Sequence, residues 1–334
     1  MRLDRAQAEA LLSGLRGCPV AVLGDLMLDE YLFGEVSRIS PEAPVPIVRV
    51  QREKAVLGGG ANVAANLKAL GAEPLLIGTL QADAAGGRLT GLLEALGIGT
   101  GHLVHDPSRP TIIKTRVVGH QQQMLRIDRE EAGPPDAAVL AALRRRLEAV
   151  LPGAKALVVS DYAKGIVSGP LMEVVRALCA ELGLPWLVDP KPAHKALYRG
   201  ATLMTPNTKE ASELAGLPAK SDGEVAEAGR RLMAELGLQG LLVTRSERGM
   251  ALFDADAAHA APWMVPTEAR EVFDVSGAGD TVMAAFSAAI GSGADWRDAA
   301  MLANAAAGVV VGKMGTATVT PGEILDHYRE QEAV

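Results

Sequence analysis

From about residue 136 onward, short apolar runs alternate with longer segments whose apolar residues recur every three or four positions. Short runs such as ALVVS and LLVT predict buried strands, and longer segments such as DAAVLAALRRRLEAVLPG predict amphipathic helices. Strands that alternate with helices in this way form a parallel sheet covered by helices. The pattern therefore predicts an α/β fold with a mostly parallel central sheet.

Four of the predicted strands are followed by a polar residue at or just past their carboxyl ends, namely Asp161, Asp189, Asn207 and Thr244. Open α/β sheets bind ligands in the crevice beyond the carboxyl ends of their strands. A single Asp or Asn in such a position is equally typical of an ordinary turn. Four such residues at equivalent positions, one after each strand, favour a ligand site at this edge of the sheet.

The first third of the chain has a different pattern. Residues 31–52 and 110–128 alternate apolar and polar positions, which is typical of strands with one face toward solvent. We expect these two segments to form a small β-sheet lid over the main body. The whole chain, residues 1–334, is then a single domain with a lid.

Composition and charge narrow the choice of partners. The chain has 334 residues, 49% hydrophobic and 22% charged, with a formal net charge of −7 and no block of basic residues. Duplex nucleic acid and anionic membrane surfaces are therefore not expected partners. Cys18 and Cys179 lie far apart in apolar stretches, as reduced thiols do. The first 17 residues lack the apolar core of a signal peptide, and we expect a cytoplasmic protein.

Two glycine-rich turns precede predicted helices, in GGGANVAANLKALG and in DVSGAGDTV. The N-terminal N–H groups of a helix attract anions, and glycine lets a ligand approach the backbone closely. Asp280, at the start of the second helix, has two interpretations: a carboxylate that stabilises the helix, or a proton acceptor beside an anion site formed by the backbone of Ala278, Gly279 and Asp280. The residues alone leave both open.

Other nucleotide and hydrolase motifs are absent from the sequence. GVVVGKM has neither the glycine spacing nor the hydroxyl of a Walker A loop, and GGGANVA lacks the third glycine of the dinucleotide fingerprint. No G-x-S-x-G elbow occurs, and the six histidines are dispersed.

The two glycine segments together resemble the signature segments of the PfkB, or ribokinase-like, family of sugar kinases. TPNTKEA resembles the Asn-x-x-Glu segment of that family, and VTRSERGM its nucleotide-binding strand and turn, so the resemblance extends over essentially the whole chain. Many members have two threonines where this chain has Val275 and Ser276. The resemblance implies a ribokinase-like fold, with ATP and Mg²⁺ as cofactors.

Four further segments, SRISPEAPVPIV, HQQQMLRID, SDYAKG and VDPK, resemble one branch of the family. That branch phosphorylates D-glycero-D-manno-heptose 7-phosphate at C1, for ADP-heptose and lipopolysaccharide core synthesis. Some members carry a fused nucleotidylyltransferase domain; this sequence ends at Val334 without one, so we expect a separate enzyme for that step. A kinase for another sugar, such as ribose or fructose 1-phosphate, and a noncatalytic sugar- or nucleotide-binding regulator remain alternatives.

The resemblance also implies roles for individual residues. Asp280 would be the base that receives the acceptor's proton, with the anion site around it formed by Gly277, Ala278 and Gly279. The sugar-contacting residues would be Asp29, Gly59, Gly60 and Asn62. Asn207 and Glu210 would hold Mg²⁺ and the phosphates largely through water, and the rest of the nucleotide pocket would include Thr244, Gly249 and Asn304.

A sugar 7-phosphate requires cations at the far end of the acceptor site. Arg38 is the first candidate because a guanidinium grips a phosphate bidentately, and Lys164 is a second. Lys191 is a third, and it is also assigned to the ATP phosphates. Lids of this family pair between subunits, so the resemblance implies a homodimer through the lid.

Overall fold

The computed structural model describes residues 3–120, 122–131, 133–255, 261–269 and 272–332. The helices of this described part are α1 (Arg5–Gly14), α2 (Gly60–Ala69), α3 (Ala84–Ala95), α4 (Ala137–Val150), α5 (Gly169–Leu182), α6 (Thr208–Ala215), α7 (Asp222–Leu236), α8 (Ala278–Gly291), α9 (Trp296–Val310) and α10 (Pro321–Glu332). The strands are β1 (Pro19–Gly24), β2 (Leu26–Ile39), β3 (Pro46–Gly59), β4 (Glu73–Ile77), β5 (Thr79–Leu80), β6 (Val104–His105), β7 (Ile112–Gly119), β8 (Gln122–Arg129), β9 (Ala156–Ser160), β10 (Trp186–Asp189), β11 (Leu203–Met204), β12 (Gly240–Thr244), β13 (Met250–Asp254) and β14 (Trp263–Val265).

The central sheet has eight strands in the order β14-β13-β12-β11-β10-β9-β1-β4. The six strands from β12 to β4 in this order run parallel, while β13 and β14 form an antiparallel edge. Because the parallel strands share one direction, their carboxyl ends lie at the same edge of the sheet. The predicted α/β fold with a mostly parallel sheet is confirmed.

Both faces of this sheet are buried, which explains the uninterrupted apolar strands. Alternate residues of β1 and β9 point to opposite sides, with Val20 and Val158 in one core and Ala21 and Leu157 in the other. The first core is covered by α1, α2, α3, α8, α9 and α10. The second is covered by α4, α5, α6 and α7.

A second sheet has four strands in the order β3-β2-β7-β8. Its outer pairs, β2 with β3 and β7 with β8, are antiparallel, and the central pair of β2 and β7 is parallel. These strands include much of the segments predicted to form the lid, but β2 and β3 extend that sheet inward to Leu26 and Gly59. Asp29 therefore lies in this small sheet, and not at the end of the first strand of the central sheet.

No helix in the described ranges is long and apolar enough to cross a bilayer. Cys18 and Cys179 are both buried free thiols, as the sequence suggested.

Candidate active site

The carboxyl-end edge of the central sheet brings carboxylates from separate strands together. Asp189 ends β10, and burial raises the pKa of its carboxyl well above the usual range. Lys191 opposes this rise, while Asp280, Glu210 and Asp161 add to it. Four acidic groups and one lysine therefore act on one another across this edge.

Asp280 is the most enclosed of the predicted catalytic residues, with 3% of its surface exposed. Both carboxylate oxygens accept a hydrogen bond, Oδ2 from Asn62 Nδ2 at 2.7 Å and Oδ1 from the Tyr162 hydroxyl at 2.9 Å. Burial raises the pKa of Asp280 to about 6, against the opposing effect of these two donors. Asp29 also raises this pKa, and Lys191 lowers it. A carboxylate with a pKa near neutrality can accept and return a proton at physiological pH.

The position of Asp280 is set by a buried network between α2 and α8. Asn62 lies in α2, and one turn later Asn66 Nδ2 donates to the Asn62 carbonyl at 2.9 Å. Thr281 Oγ1 in turn donates to Asn66 Oδ1 at 2.9 Å. Side chains four residues apart on a helix lie on the same face, so Asn62 and Asn66 jointly hold the start of α8.

The turn before Asp280 requires glycine. Gly277 is the residue before α8 and has φ of 78°, a left-handed conformation that glycine adopts without strain. A Cβ there would lie 2.8 Å from Asn62 Nδ2. A Cβ at Gly279, by contrast, would face open space. The Ala278 N–H donates to Val275 O at 3.2 Å, which leaves the N–H groups of Gly279 and Asp280 as the better anion donors of the three.

The other glycine turn joins the small sheet to α2. Gly59 has φ of 59°, and a Cβ there would lie 2.3 Å from Asp25 O, while Gly60 N donates to the same carbonyl at 2.9 Å. Asp29 is 4% exposed, and its Oδ1 accepts from Arg116 Nη1 at 2.6 Å. The structure thus brings Asp29, Asn62 and Asp280 to one site, with the glycine turn beside them.

A second group of predicted residues surrounds Glu210. Asn207 is the N-cap of α6 and forms a reciprocal capping box with Glu210. Lys191 Nζ donates to Glu210 Oε1 at 2.5 Å and also lies 5.5 Å from the centroid of the Tyr162 ring. Thr244 ends β12 and forms an isolated parallel bridge with Asn207. Lys191 therefore lies between this group and Asp280.

The oxygen atoms of the residues around Glu210 determine how Mg²⁺ could be held. In the capping box, Glu210 Oε2 accepts a hydrogen bond from the Asn207 N–H, and its Oε1 accepts one from Lys191 Nζ. Among the described residues, no group of three or more His, Cys, Asp or Glu side chains could hold a metal directly. Mg²⁺ binds readily through one or two carboxylates, several waters and substrate phosphates. The residues present fit a magnesium ion held in that way, and not a cage made by the protein alone.

Gly249 and Asn304 both lie against the segment 265–267, which begins at the last residue of β14. A Cβ at Gly249, where φ is 75°, would lie 2.0 Å from Val265 O. Asn304 in α9 is buried, and its Nδ2 donates to Pro266 O at 2.7 Å. These two residues thus shape the same segment, 265–267, although they are 55 positions apart in the chain.

Two predicted cations lie in different surroundings. Lys164 Nζ donates to Glu130 Oε1 at 2.6 Å, just past β8. Arg38 is exposed near the far end of β2, nine residues beyond Asp29. At the rise of an extended strand, nine residues correspond to about 30 Å. Arg38 therefore lies far along β2 from Asp29.

Tyr162 is a residue at this site that sequence reasoning missed. It lies in the loop after β9, and its segment, SDYAKG, was noted only as part of the resemblance. Three backbone N–H groups of this loop, from Tyr162, Lys164 and Ile166, donate to the buried Asp25 carboxylate. The only available signal was its place at the end of a strand beside Asp161.

Asp161 links the Tyr162 loop to the Lys191 loop. Its Oδ1 accepts from Ala163 N at 2.7 Å, and its Oδ2 accepts from the Tyr198 hydroxyl at 2.5 Å. The same hydroxyl accepts from Lys191 N at 2.8 Å. His194 Nδ1 also lies 2.6 Å from Asp161 Oδ2. One buried carboxylate therefore positions both neighbours of Asp280, Tyr162 and Lys191.

Comparison with known proteins identifies the family. The profile of the pfkB family carbohydrate kinases matches residues 19–322. A D-beta-D-heptose 7-phosphate kinase of Bordetella bronchiseptica (strain ATCC BAA-588 / NCTC 13252 / RB50) is 48% identical over 306 residues, which are 91% of this chain and 94% of that protein. A bifunctional protein HldE of Halorhodospira halophila (strain DSM 244 / SL1) is 50% identical over 318 residues, 94% of this chain. The chain spans 64% of the length of that relative.

Solved structures agree with this result at the level of the fold. The structure of Arabidopsis thaliana ribokinase complexed with ribose and ATP matches with a TM-score of 0.73 and 22% identity, over 94% of this chain and 99% of that chain. Phosphofructokinase-2 from Escherichia coli in complex with potassium matches with a TM-score of 0.77 and 18% identity, over 95% and 99%. The predicted ribokinase-like fold is confirmed. This chain belongs to the pfkB family of carbohydrate kinases.

Proposed function

We propose that the protein transfers the γ-phosphoryl group of ATP to the C1 hydroxyl of D-glycero-D-manno-heptose 7-phosphate. The products would be heptose 1,7-bisphosphate and ADP. The observation that carries the choice of substrate is the Bordetella bronchiseptica relative, a D-beta-D-heptose 7-phosphate kinase that is 48% identical and matched over nearly its whole length. The buried Asp280 at the start of α8 supports phosphoryl transfer as the chemistry.

Asp280 would act as the general base. The acceptor oxygen attacks the γ-phosphorus, the bond from that phosphorus to the ADP oxygen breaks, and the hydroxyl proton passes to the Asp280 carboxylate. The two donors on this carboxylate, Asn62 and Tyr162, fix its orientation toward the acceptor. The backbone at Gly277, Ala278 and Gly279 would stabilise the negative charge on the transferred group.

The nucleotide would lie along the strand ends on the Lys191 side. Lys191, Asn207 and Glu210 would contact its phosphates and the Mg²⁺ that it carries, largely through water. Thr244, Gly249 and Asn304 would shape the rest of its pocket. When bound, Mg²⁺ neutralises phosphate charge that builds up during transfer.

The acceptor sugar would lie on the small-sheet side. Asp29, which is buried beside Arg116, would accept hydrogen bonds from sugar hydroxyls, and the turn at Gly59 and Gly60 would let the sugar approach the backbone. The small sheet would act as a lid that keeps water away from the reacting groups. We also propose a homodimer joined through this lid, in a cytoplasmic enzyme that supplies ADP-heptose and lipopolysaccharide core synthesis.

A panel of acceptors tests this function. ATP consumption would be measured with D-glycero-D-manno-heptose 7-phosphate, the unphosphorylated heptose, ribose and fructose 1-phosphate, with formation of the 1,7-bisphosphate followed by phosphorus NMR. We expect the highest kcat/KM with the heptose 7-phosphate. A higher value with ribose or fructose 1-phosphate would replace the proposed substrate, and binding without turnover of any acceptor would favour a noncatalytic regulator.

A further inference from the structure

One face of the small sheet lies over the Asp280 site and carries a cluster of charged side chains. Tyr31 of β2 locates this face, because its hydroxyl would lie 3.6 Å from a Cβ at Gly315. The Gly315 N–H in turn donates to Asp274 Oδ2, just before the glycine turn that begins α8. We call the charged residues of this face and its border the lid cluster. They are Asp29, Lys114, Arg116, Arg126, Asp128, Glu130 and Lys164.

The register of β7 and β8 places two arginines directly opposite each other. Arg116 on β7 pairs with Arg126 on β8, and Lys114 pairs with Asp128 two residues away on the same face. Like charges directly opposite in an antiparallel pair are destabilising. A bound anion between Arg116 and Arg126 would offset this repulsion.

Each arginine is tied to one carboxylate. Arg116 donates to Asp29, and Arg126 grips Asp128 bidentately at 2.8 and 2.9 Å. Arg116 also acts on a further carboxylate, Asp274, whose pKa it lowers.

Arg126 is also the accessible member of the pair. Its side chain is 50% exposed, against 18% for Arg116. The pKa of Arg126 is raised by Asp128 first, and Glu130 and Asp29 add to the rise. Asp29 in turn acts on the pKa of Asp280. Arg126 is thus within electrostatic range of the residue that would hold the sugar beside the base.

We propose that Arg116 and Arg126 together bind the phosphate that the acceptor sugar already carries. This rests on the proposed function, since it requires an acceptor that is a sugar phosphate. A phosphate between two guanidinium groups can accept bidentate hydrogen bonds from both, and it would place further negative charge between the two opposed arginines. Arg116 would then link the two ends of the acceptor, holding Asp29 on one side and the phosphate on the other.

The other cations considered for this role lie on the nucleotide side, at the border of the lid cluster, or too far along β2. Lys191 is paired with Glu210 on the nucleotide side, and Lys164 with Glu130 at the border of the cluster. Arg38 lies about 30 Å along β2 from Asp29, much further than a heptose phosphate can span. A role for Arg38 would require a second copy of the chain.

The test compares binding of D-glycero-D-manno-heptose 7-phosphate and of unphosphorylated heptose by calorimetry without ATP. Arg126→Ala is the main variant because this side chain is half exposed and its loss leaves the Arg116–Asp29 pair in place. Arg49→Ala is the control: Arg49 is an exposed arginine of the same sheet, paired with Glu35 and well away from Asp29. We expect Arg126→Ala to reduce the preference for the phosphorylated sugar about 10- to 100-fold, as for loss of charge-assisted hydrogen bonds. Arg126→Lys should restore part of it, and the control should keep it all.

Equal weakening of both sugars by Arg126→Ala, or no weakening, would overturn the assignment. A selective loss in Arg38→Ala instead would move the phosphate site to a subunit interface and overturn it as well. Failure of the proposed function gives a different result: the wild type would turn over another sugar phosphate better than the heptose 7-phosphate. Binding of that sugar with and without its phosphate would then decide the role of the arginines in the same way.

Discussion

At the scale of single residues, the site depends on a carboxylate whose two oxygens are both occupied by donors. Asn62 and Tyr162 donate to different oxygens of Asp280, so its orientation is set before an acceptor binds. Burial, which raises its pKa, and the two hydrogen bonds, which lower it, act against each other. The result is a carboxylate that is ionised at neutral pH but can still hold a proton.

Replacement of Asp280 by Asn should leave the fold and ATP binding nearly unchanged and lower kcat about 10²- to 10⁴-fold, as expected for loss of an acid–base group. Asp298→Asn is the matched control, because Asp298 is likewise the third residue of its helix, α9, and lies outside the site. Steady-state kinetics with thermal unfolding would measure both effects. Near wild-type turnover in Asp280→Asn would show that this carboxylate only stabilises its helix.

The pH dependence of kcat/KM should report the ionisation of the same residue. Because the base must be deprotonated and the pKa of Asp280 is about 6, kcat/KM should fall as the pH drops through about 6. Tyr162→Phe removes a donor that lowers this pKa, so the acidic limb should move to higher pH. A limb that stays in place in Tyr162→Phe would show that the tyrosine hydroxyl does not act on the base.

At the scale of elements, helix starts and strand ends converge on the site. α2 and α8 begin at glycine turns, and α6 begins at the capping box of Asn207 and Glu210. The loops after β9 and β10 are joined through Asp161 and Tyr198. The residues around Asp280 lie at helix starts or in the loops that follow strands. A small change at one helix cap can therefore alter the geometry of the site.

The capping box of α6 allows its structural and functional roles to be separated. Asn207→Ala with Glu210→Ala should raise the Mg²⁺ concentration needed for half-maximal activity, without changing the KM of the sugar. Loss of the N-cap alone should lower stability by about 1 kcal/mol. The control is Ser221→Ala with Glu224→Ala, because Ser221 and Glu224 form the same capping box at the start of α7. A similar Mg²⁺ shift in the control pair, or none in the first, would refute a metal role.

At the scale of the whole molecule, the small sheet has two different faces. One face carries the lid cluster. The other face carries Leu125 and Ile127, which alternate with Arg126 and Asp128 along β8 and are 55% and 51% exposed. Val50 of β3 and Ile39 of β2 are exposed as well. A sheet with exposed apolar side chains and free edge strands is suited to pair with another copy of itself.

Leu125→Asp with Ile127→Asp should therefore shift the protein from dimer to monomer, measured by analytical ultracentrifugation over a range of concentrations. Leu182→Asp is the control, since Leu182 is an apolar residue 41% exposed at the end of α5, on the main body. A wild type that sediments as a monomer, or a double variant that remains dimeric, would contradict the proposed dimer through the lid.

The sequence by itself determined the features that depend on near neighbours. Strand and helix periods predicted the α/β sheet. A strand buried on two faces and a helix buried along one stripe each have a repeating pattern of apolar residues that can be read from consecutive positions. Asp280 beside its glycine turn could be singled out from local sequence too, whereas Asn207 and Glu210 were assigned from the resemblance to the family. Only the tertiary structure decided which distant residues meet. The Tyr162 hydroxyl reaches Asp280 across 118 positions, and Arg116 reaches Asp29 across 87 because β2 pairs with β7. A shift of one residue in the register of β2 and β7 would turn Arg116 to the opposite face, and no local pattern pairs two strands so far apart in the chain.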